Sequence, residues 1–414
     1  MFVELFALEK PANGIETLWP PDLLDSQMID RRQALKLLLA TPVLSHSAFG
    51  QPPQADPFTD KLSSAMQRFV ADGKLVCAVG FVFQRGRLLY EDAVGYSDLA
   101  AKTPIRTDAI FDVRSISKPL TAIGVMVLVD SGKISLNDPI DRYLPEFRNV
   151  KVNSSGGLIS PKRPPTIFDL LTDTAGINAQ LNDSLTRSFA LPLKEAVNLY
   201  ATHPLEFEPG QKWEYSSAGF AVLGRIIEVV SKQPFQRFMH ERVFSAIGMQ
   251  DSFFFPPGDK VSRIPLMYIL ENGRVRRDAL DVTRKGQLYA APEFGLCTTG
   301  RDLENLAQVF LNDGLSSGKR FLSSRAIRMM ITRQVPTNDP SLDMGLSWFL
   351  HTATNAPRAY PATVGSFGAA GASGCFFWVD PERKVTRIFL TQCFGSEGRE
   401  AEEFMRLAWA LTSS

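Results

Sequence analysis

Long apolar runs are missing from this chain. A membrane-spanning helix needs roughly 18–20 consecutive apolar residues, and the longest candidates, residues 37–44 and 122–129, fall far short. No stable membrane insertion is expected. An excess of charge of either sign is also missing: 45 basic against 44 acidic residues leave a formal net charge of +1. That balance provides neither a broad basic field for nucleic acid nor an acidic tail, so a small neutral molecule is the expected partner. Cysteine is scarce. Cys77, Cys297, Cys375 and Cys393 show no C-x-x-C spacing, which argues against a zinc site and for buried thiols. Cys375 and Cys393 flank a hairpin pattern and are close enough in sequence to pair in an exported protein. The four histidines, His46, His203, His240 and His351, have no partner pattern, so a Ser-His-Asp triad is the weaker model. No metal or cofactor site is read.

What is present begins with an address. From Met28 the chain reads "MIDRRQALKLLLATPVLSHSAFGQPP": twin arginines, a moderately apolar stretch, small residues near Ala48 and Gly50, and then a Pro-rich linker. This order matches a twin-arginine export signal over residues 28–50, giving a periplasmic or secreted product. The bland alternative is an amphipathic surface helix, which "QPPQADP" would interrupt. No cysteine lies near the cleavage region, against a lipid anchor. Residues 1–27 fit neither signal nor domain, which makes Met28 a candidate start.

At 414 residues the chain is long enough for two domains. Residues 60–73 carry helical periodicity and end in Gly73. "LVCAVGFVFQRGRLLYEDAVGYSD" reads as two strands turning at Arg85-Gly86-Arg87. From Ser115 to about Arg284 the pattern becomes mostly helical, with Pro-, Gly-, Ser- and Asn-rich connections. Strand character returns in residues 375–379 and 385–391, on either side of a turn at residues 380–384. A last amphipathic segment carries Phe404, Leu407, Ala408 and Leu411 on one stripe. The expected fold is therefore α/β plus all-α: an antiparallel sheet flanked by helices, with an inserted helical domain. Residues 1–57 form an extension, 58–112 and 285–414 the α/β domain, and 113–284 the helical domain. The cleft between the two domains is the natural place for a ligand.

The chemistry-bearing stretch is "FDVRSISKPLTAIG". Residues three apart on a helix share a face, so Ser115 and Lys118 can meet at one edge of a cleft. Pro119 is comfortable only in a first helical turn, which places Ser115 at the helix lip. An unperturbed lysine, with a pKa of about 10.4, is protonated at neutral pH and cannot take a proton from serine. It needs desolvation or a shared proton network. Tyr215, in "PGQKWEYSSAGFAVLG", is placed to share that work, although a core aromatic beside Trp213 is the plain alternative. A second S-x-x-K, Ser316 to Lys319, also fits G-x-S-x-G. It follows a helix pattern rather than a strand and reads as a solvated turn.

"GRLLYEDAVGYSD", "RSISKPLTA", "PIDRYLPEF", "TIFDLLTDTAGI", "EPGQKWEYSSAGFAVLG", "FSAIGMQDSFF", "GLCTTGRDLENLAQVFLNDG" and "FGAAGASGCFFWVDP" follow one another along the chain. In that order they resemble the serine β-lactamase superfamily, in the branch of class C β-lactamases, DD-peptidases and family VIII carboxylesterases. The resemblance implies Ser115 as acylated nucleophile, Lys118 as its proton partner and Tyr215 as base or relay. Which of Lys118 and Tyr215 takes the proton stays open. Ser217 stands where the family's Y-x-N motif has asparagine, and Ala369-Ala370-Gly371 aligns with its K-T-G, H-x-G or W-x-G motif. Gly371 keeps the close backbone approach, and the backbone N–H groups of Ser115 and Ala372 are the implied oxyanion hole.

Ala369 removes the side chain that helps such enzymes hold a substrate carboxylate. An uncharged ester is then favoured, unless Arg114 or Lys212 supplies the charge. The expectation is an exported serine hydrolase acting on small carboxylic esters without a cofactor. A β-lactamase, DD-peptidase or amide hydrolase of the same superfamily is the alternative, and a non-catalytic penicillin-recognising relative the third reading.

Overall fold

A computed structural model describes residues 57–178, 191–355, 360–396 and 398–412. The export signal and linker read from residues 28–50 and beyond lie outside the described residues. The main sheet has nine antiparallel strands: β1 (Cys77–Gln84), β2 (Arg87–Asp98), β3 (Thr103–Pro104), β4 (Val335–Pro336), β5 (Asp343–Met344), β6 (Phe349–Leu350), β7 (Phe367–Ala370), β8 (Phe376–Asp380) and β9 (Val385–Leu390). Their spatial order is β4-β5-β6-β7-β8-β9-β1-β2-β3. The seam between β9 and β1, with Val79 opposite Leu390 and Gln84 opposite Val385, joins the two ends of the chain. The β1–β2 turn works because Arg85 and Gly86 both take left-handed φ, +54° and +74°, as a two-residue hairpin of this hand requires.

β1, β8 and β9 each alternate between two cores. Ala78, Val82, Trp378 and Phe389 face helices α1 (Pro57–Ala71) and α7 (Arg399–Leu411), meeting Leu62, Met66, Phe69, Phe404 and Met405. Gly80 is required there, because a Cβ would lie 2.5 Å from the Phe404 ring. On the opposite face Val79, Phe81, Phe377 and Ile388 continue into the main core with helix α2 (Ser117–Asp130) and helix α6 (Gly300–Leu311). Side chains buried as completely as these contribute about 1.5–3 kcal/mol each relative to exposure.

α2 is buried from Ser117 through Leu128, so it is an interior helix, apolar all round. α3 (Ile167–Leu171) and α4 (Leu193–Ala201) pack on α5 (Ser217–Ser231), which lies against α2. A capping box starts α3, with Thr166 and Asp169 bonding reciprocally. Ser216 caps α5 by accepting from the Gly219 N–H at 3.2 Å. The mostly helical stretch also holds two hairpins that its sequence reading missed, Val152–Ser154 with Gly157–Ile159 and Tyr268–Glu271 with Arg274–Arg277. The second turns on Asn272 and Gly273, at φ +51° and +73°. Its Asn-Gly pair was the legible signal. Ser316 lies in a two-residue hairpin opposite Lys319.

Candidate active site

The chain enters the site on a short strand, Phe111–Asp112, paired with Cys297–Thr298, and Val113 N–H donates to the Leu296 carbonyl at 3.0 Å. Arg114 then turns sharply at φ +48°, an uncommon conformation for a side-chain-bearing residue. It leads into a single 3₁₀ turn, Arg114–Ile116, from which α2 begins at Ser117. Ser115 is therefore at the lip of the helix, 8% exposed. Pro119 is the third residue of α2, where its missing N–H costs no intrahelical bond. Two bonds fix this turn: Ser117 Oγ donates to Arg114 O at 2.6 Å and accepts from Leu296 N–H at 2.9 Å.

Behind the turn lies a charged support. Asp112 accepts from the buried Arg284 at 2.8 Å and lies 3.5 Å from Arg114 Nε. The Arg114 guanidinium sits 4.6 Å from the Phe394 ring centroid and 5.8 Å from that of Phe294. Lys212 pairs with Glu214 at 2.7 Å, both well exposed. Both cations considered as substitutes for the residue missing at position 369 are thus engaged elsewhere.

Lys118, 3% exposed, donates from Nζ to Ser115 Oγ at 3.2 Å and to the Glu293 carbonyl at 3.1 Å. The same Nζ stands 4.6 Å from the Tyr215 ring centroid and 5.9 Å from that of Phe220, within cation–π range. Tyr215 is half-buried on the segment leading into α5, with Trp213 at 6.5 Å between ring centroids. Gly224 of α5 holds the Glu293 loop close, since a Cβ there would fall 2.2 Å from Pro292. Ser115 and Lys118, one helical turn apart, thus meet Tyr215 from a segment distant in sequence. A nucleophile within reach of a base, itself held by other groups, is the arrangement that acyl transfer needs.

The opposite wall is β7. It pairs with β8 along its whole length but with β6 only at Phe367 and Gly368, leaving Ala369 and Ala370 outside the ladder on that side. Gly371 packs directly on the segment that leads into Ser115, where a Cβ would lie 2.1 Å from Val113 O. Ser373 Oγ donates to Asp112 O at 2.9 Å. Two contacts therefore lash residues 371–373 to residues 112–113 and place Ala372 beside the Ser115 turn. Ser217 is the first residue of α5 and half-exposed, while Ala369 is buried. All four cysteines are buried free thiols, with Cys375 Sγ bonded to Thr391 O at 3.1 Å. Among the described residues no cluster of His, Cys, Asp or Glu is placed to hold a metal.

Two groups in the site were not singled out from the sequence. The Glu293 carbonyl is a main-chain acceptor, so residue identity carries no trace of it. Asp173 was visible as an acid inside the apolar "FDLLTDTAGI". Its carboxyl is buried, and burial pushes it up to about 7 against the lowering pull of Lys118 and of the Ser216 N–H.

Comparison with known proteins adds the lineage. Residues 62–411 match the family model described as Beta-lactamase. Protein Rv1367c of Mycobacterium tuberculosis is 31% identical over 362 residues, covering 80% of this chain and 89% of that protein. Esterase EstB of Burkholderia gladioli is 33% identical over 206 residues, 47% of this chain and 51% of its own. Among solved structures, the fold matches "EstCE1, a hydrolase with promiscuous acyltransferase activity", at TM-score 0.74 and 21% identity, over 86% of this chain and 98% of that one. A family VIII carboxylesterase matches at TM-score 0.68 and 20% identity, over 86% and 98%.

Proposed function

The chain belongs to the β-lactamase family and is a serine hydrolase of it, and from that premise we propose that it hydrolyses small, uncharged carboxylic esters through an acyl-enzyme on Ser115. The observation that carries this reading is the buried contact of 3.2 Å between Lys118 Nζ and Ser115 Oγ. In this mechanism Ser115 Oγ attacks the ester carbonyl carbon as its proton passes into the Lys118–Tyr215 pair. The tetrahedral oxyanion lies against the N–H groups of Ser115 and Ala372; one such donor is worth about 10²–10³ in rate. The C–O bond to the alcohol breaks, the alcohol leaves with the proton, and water repeats the sequence on the acyl-serine to release the acid.

The ester preference rests on what faces the substrate. Ala369 offers no cation to a carboxylate, Arg114 is held by Asp112 and two phenylalanines, and Lys212 is held by Glu214. Esterase EstB, among the relatives, has the same activity in its name. The same relatives include penicillin-binding proteins, so β-lactams and amides are the competing substrates. Residues 28–50 would export the protein by the twin-arginine route, tested by whether an Arg31→Lys, Arg32→Lys pair retains the protein inside the cell.

The deciding experiment is the initial rate on p-nitrophenyl butyrate for the protein beside its Ser115→Ala variant. Turnover that vanishes with Ser115 supports the reading. Release from a β-lactam with no ester turnover replaces it with the competing one.

A further inference from the structure

Tyr215 has to be held in register with Lys118, yet it lies on an irregular segment with no ladder of its own. Asp173 is the residue that holds it. The Asp173 carbonyl accepts from the N–H of Glu214 at 2.9 Å, and Asp173 Oδ1 accepts from the N–H of Ser216 at 3.2 Å. One residue thus bonds the main chain immediately before and immediately after Tyr215. To do so it adopts a left-handed backbone, φ +56°, a conformation that aspartate and asparagine tolerate better than most residues and that structures retain where something else demands it. The second carboxyl oxygen, Oδ2, is buried without a hydrogen-bond partner. A buried oxygen left unpaired is costly, and the charge that acts on this carboxyl is Lys118.

We propose that Asp173 is a positioning residue of the hydrolytic centre: it clamps Tyr215 from both sides and brings a further ionisable group into electrostatic reach of Lys118. The proposal rests on the serine-hydrolase reading above and assigns a group that reading does not use. The charged neighbours around Asp173 are accounted for. Asp169, on α3, reaches the Thr174 hydroxyl at 3.4 Å but is committed to Arg163. Glu214 is committed to Lys212 at the surface. Glu293 meets Lys118 through its carbonyl. That leaves Lys118 as the charge that Asp173 answers to, with Tyr215 between them in the chain of contacts. Since burial pushes the carboxyl up to about 7, the site can change charge near neutrality.

The sign for stability follows from the same displacement. The folded protein holds this proton more tightly than the unfolded chain, whose aspartate titrates at its ordinary value. Asp173 therefore favours folding at low pH, and that contribution is lost as pH rises from about 4 to about 7.

The test uses the full chain, Asp173→Asn and Asp173→Ala. Asparagine keeps an acceptor for the Ser216 N–H and suits the left-handed backbone, so it removes only the charge. Alanine removes both. On p-nitrophenyl butyrate, kcat of Asp173→Ala is expected to fall at least about tenfold with KM changed less than about threefold, and Asp173→Asn to recover part of that loss. The ionisation in the kcat profile near neutrality is expected to vanish or move by at least about one pH unit in Asp173→Asn. In parallel, the melting temperature of the unmodified protein should decline relative to Asp173→Asn between pH 4 and 7. Superimposable kcat profiles for the unmodified protein and Asp173→Asn, or melting curves that run parallel across that range, overturn the proposal. If the unmodified protein turns over no ester, the hydrolase reading fails on its own, and the melting comparison still decides whether Asp173 is a titrating clamp.

Discussion

The two walls of the cleft are built on opposite plans. On the helical side, buried Ser115, Lys118 and Asp173 and half-buried Tyr215 are tied by hydrogen bonds, a cation–ring contact and charge. On the sheet side, Ala369, Ala370 and Gly371 offer backbone and little else. The first plan specifies reaction chemistry, because proton transfer depends on which side chains are present and where. The second specifies little beyond shape, because any acyl group can meet a backbone N–H. The contrast teaches that side-chain identity is specified on one wall and backbone shape on the other, so changes on the helical wall are expected to cost the most activity.

Removing the Ser115 hydroxyl, the proposed nucleophile, should break the helical wall most completely, with Ser115→Ala driving kcat on p-nitrophenyl butyrate down by a factor on the order of 10⁶ or to the detection limit. Lys118→Ala follows, with an expected loss of about 10²–10⁴ in kcat, the range of a positioned proton-transfer group. A single-turnover assay should place the loss in acyl-enzyme formation, and a burst of normal rate and size would contradict the role given to Lys118. On the sheet side the largest effect should come from Gly371→Ala. Its Cβ would meet Val113 O at 2.1 Å, so the strand must move and carry Ala372 with it. A loss of about 10²–10³ in kcat is expected, with a lowered melting temperature. Unchanged kcat would mean that residue 372 is not a donor to the oxyanion. The mildest change should be Ser217→Asn, which restores an amide where Ser217 offers a hydroxyl. One hydrogen bond is worth roughly 0.5–1.5 kcal/mol, so ester turnover should stay within about tenfold, and a larger change would make Ser217 part of the chemistry.

Legibility in the sequence divided along the same line. The long strands β1, β2, β8 and β9 and the helices at both ends were readable because period-2 and period-3.6 patterns survive wherever one face is buried, whereas the two- to four-residue strands β3 to β7 are too short to carry a period. β1, β8 and β9 and the helices at both ends appear where their patterns put them. Ser115 and Lys118 were readable because both come from one helical turn, with Pro119 fixing where that turn begins. Tyr215 was legible as a candidate from its place just before a helix, but 97 positions along the chain after Lys118 its role rested on the resemblance to a family. What escaped was set by long-range backbone contacts. Asp173 acts through two main-chain N–H groups and Glu293 through its carbonyl, and no residue pattern announces such bonds. The hairpin at Asn272-Gly273 is a different kind of miss, because its turn chemistry was plain and the surrounding helical pattern outweighed it.

The seam between β1 and β9 also imposes a schedule on the protein's birth. Thr391 Oγ1 bonds the Cys77 carbonyl across 314 positions of chain, and β1 has no partner on that side until β9 has left the ribosome. At about 5–20 residues per second, the wait is roughly 15–60 s. Throughout it, the apolar strand "CAVGFVF" presents an open edge of the kind that recruits other chains. Shielding of this edge during synthesis is therefore expected to raise the yield of folded protein. Any stop codon upstream of β9 leaves that edge permanently uncovered, a more severe lesion than the loss of an equal length of surface loop.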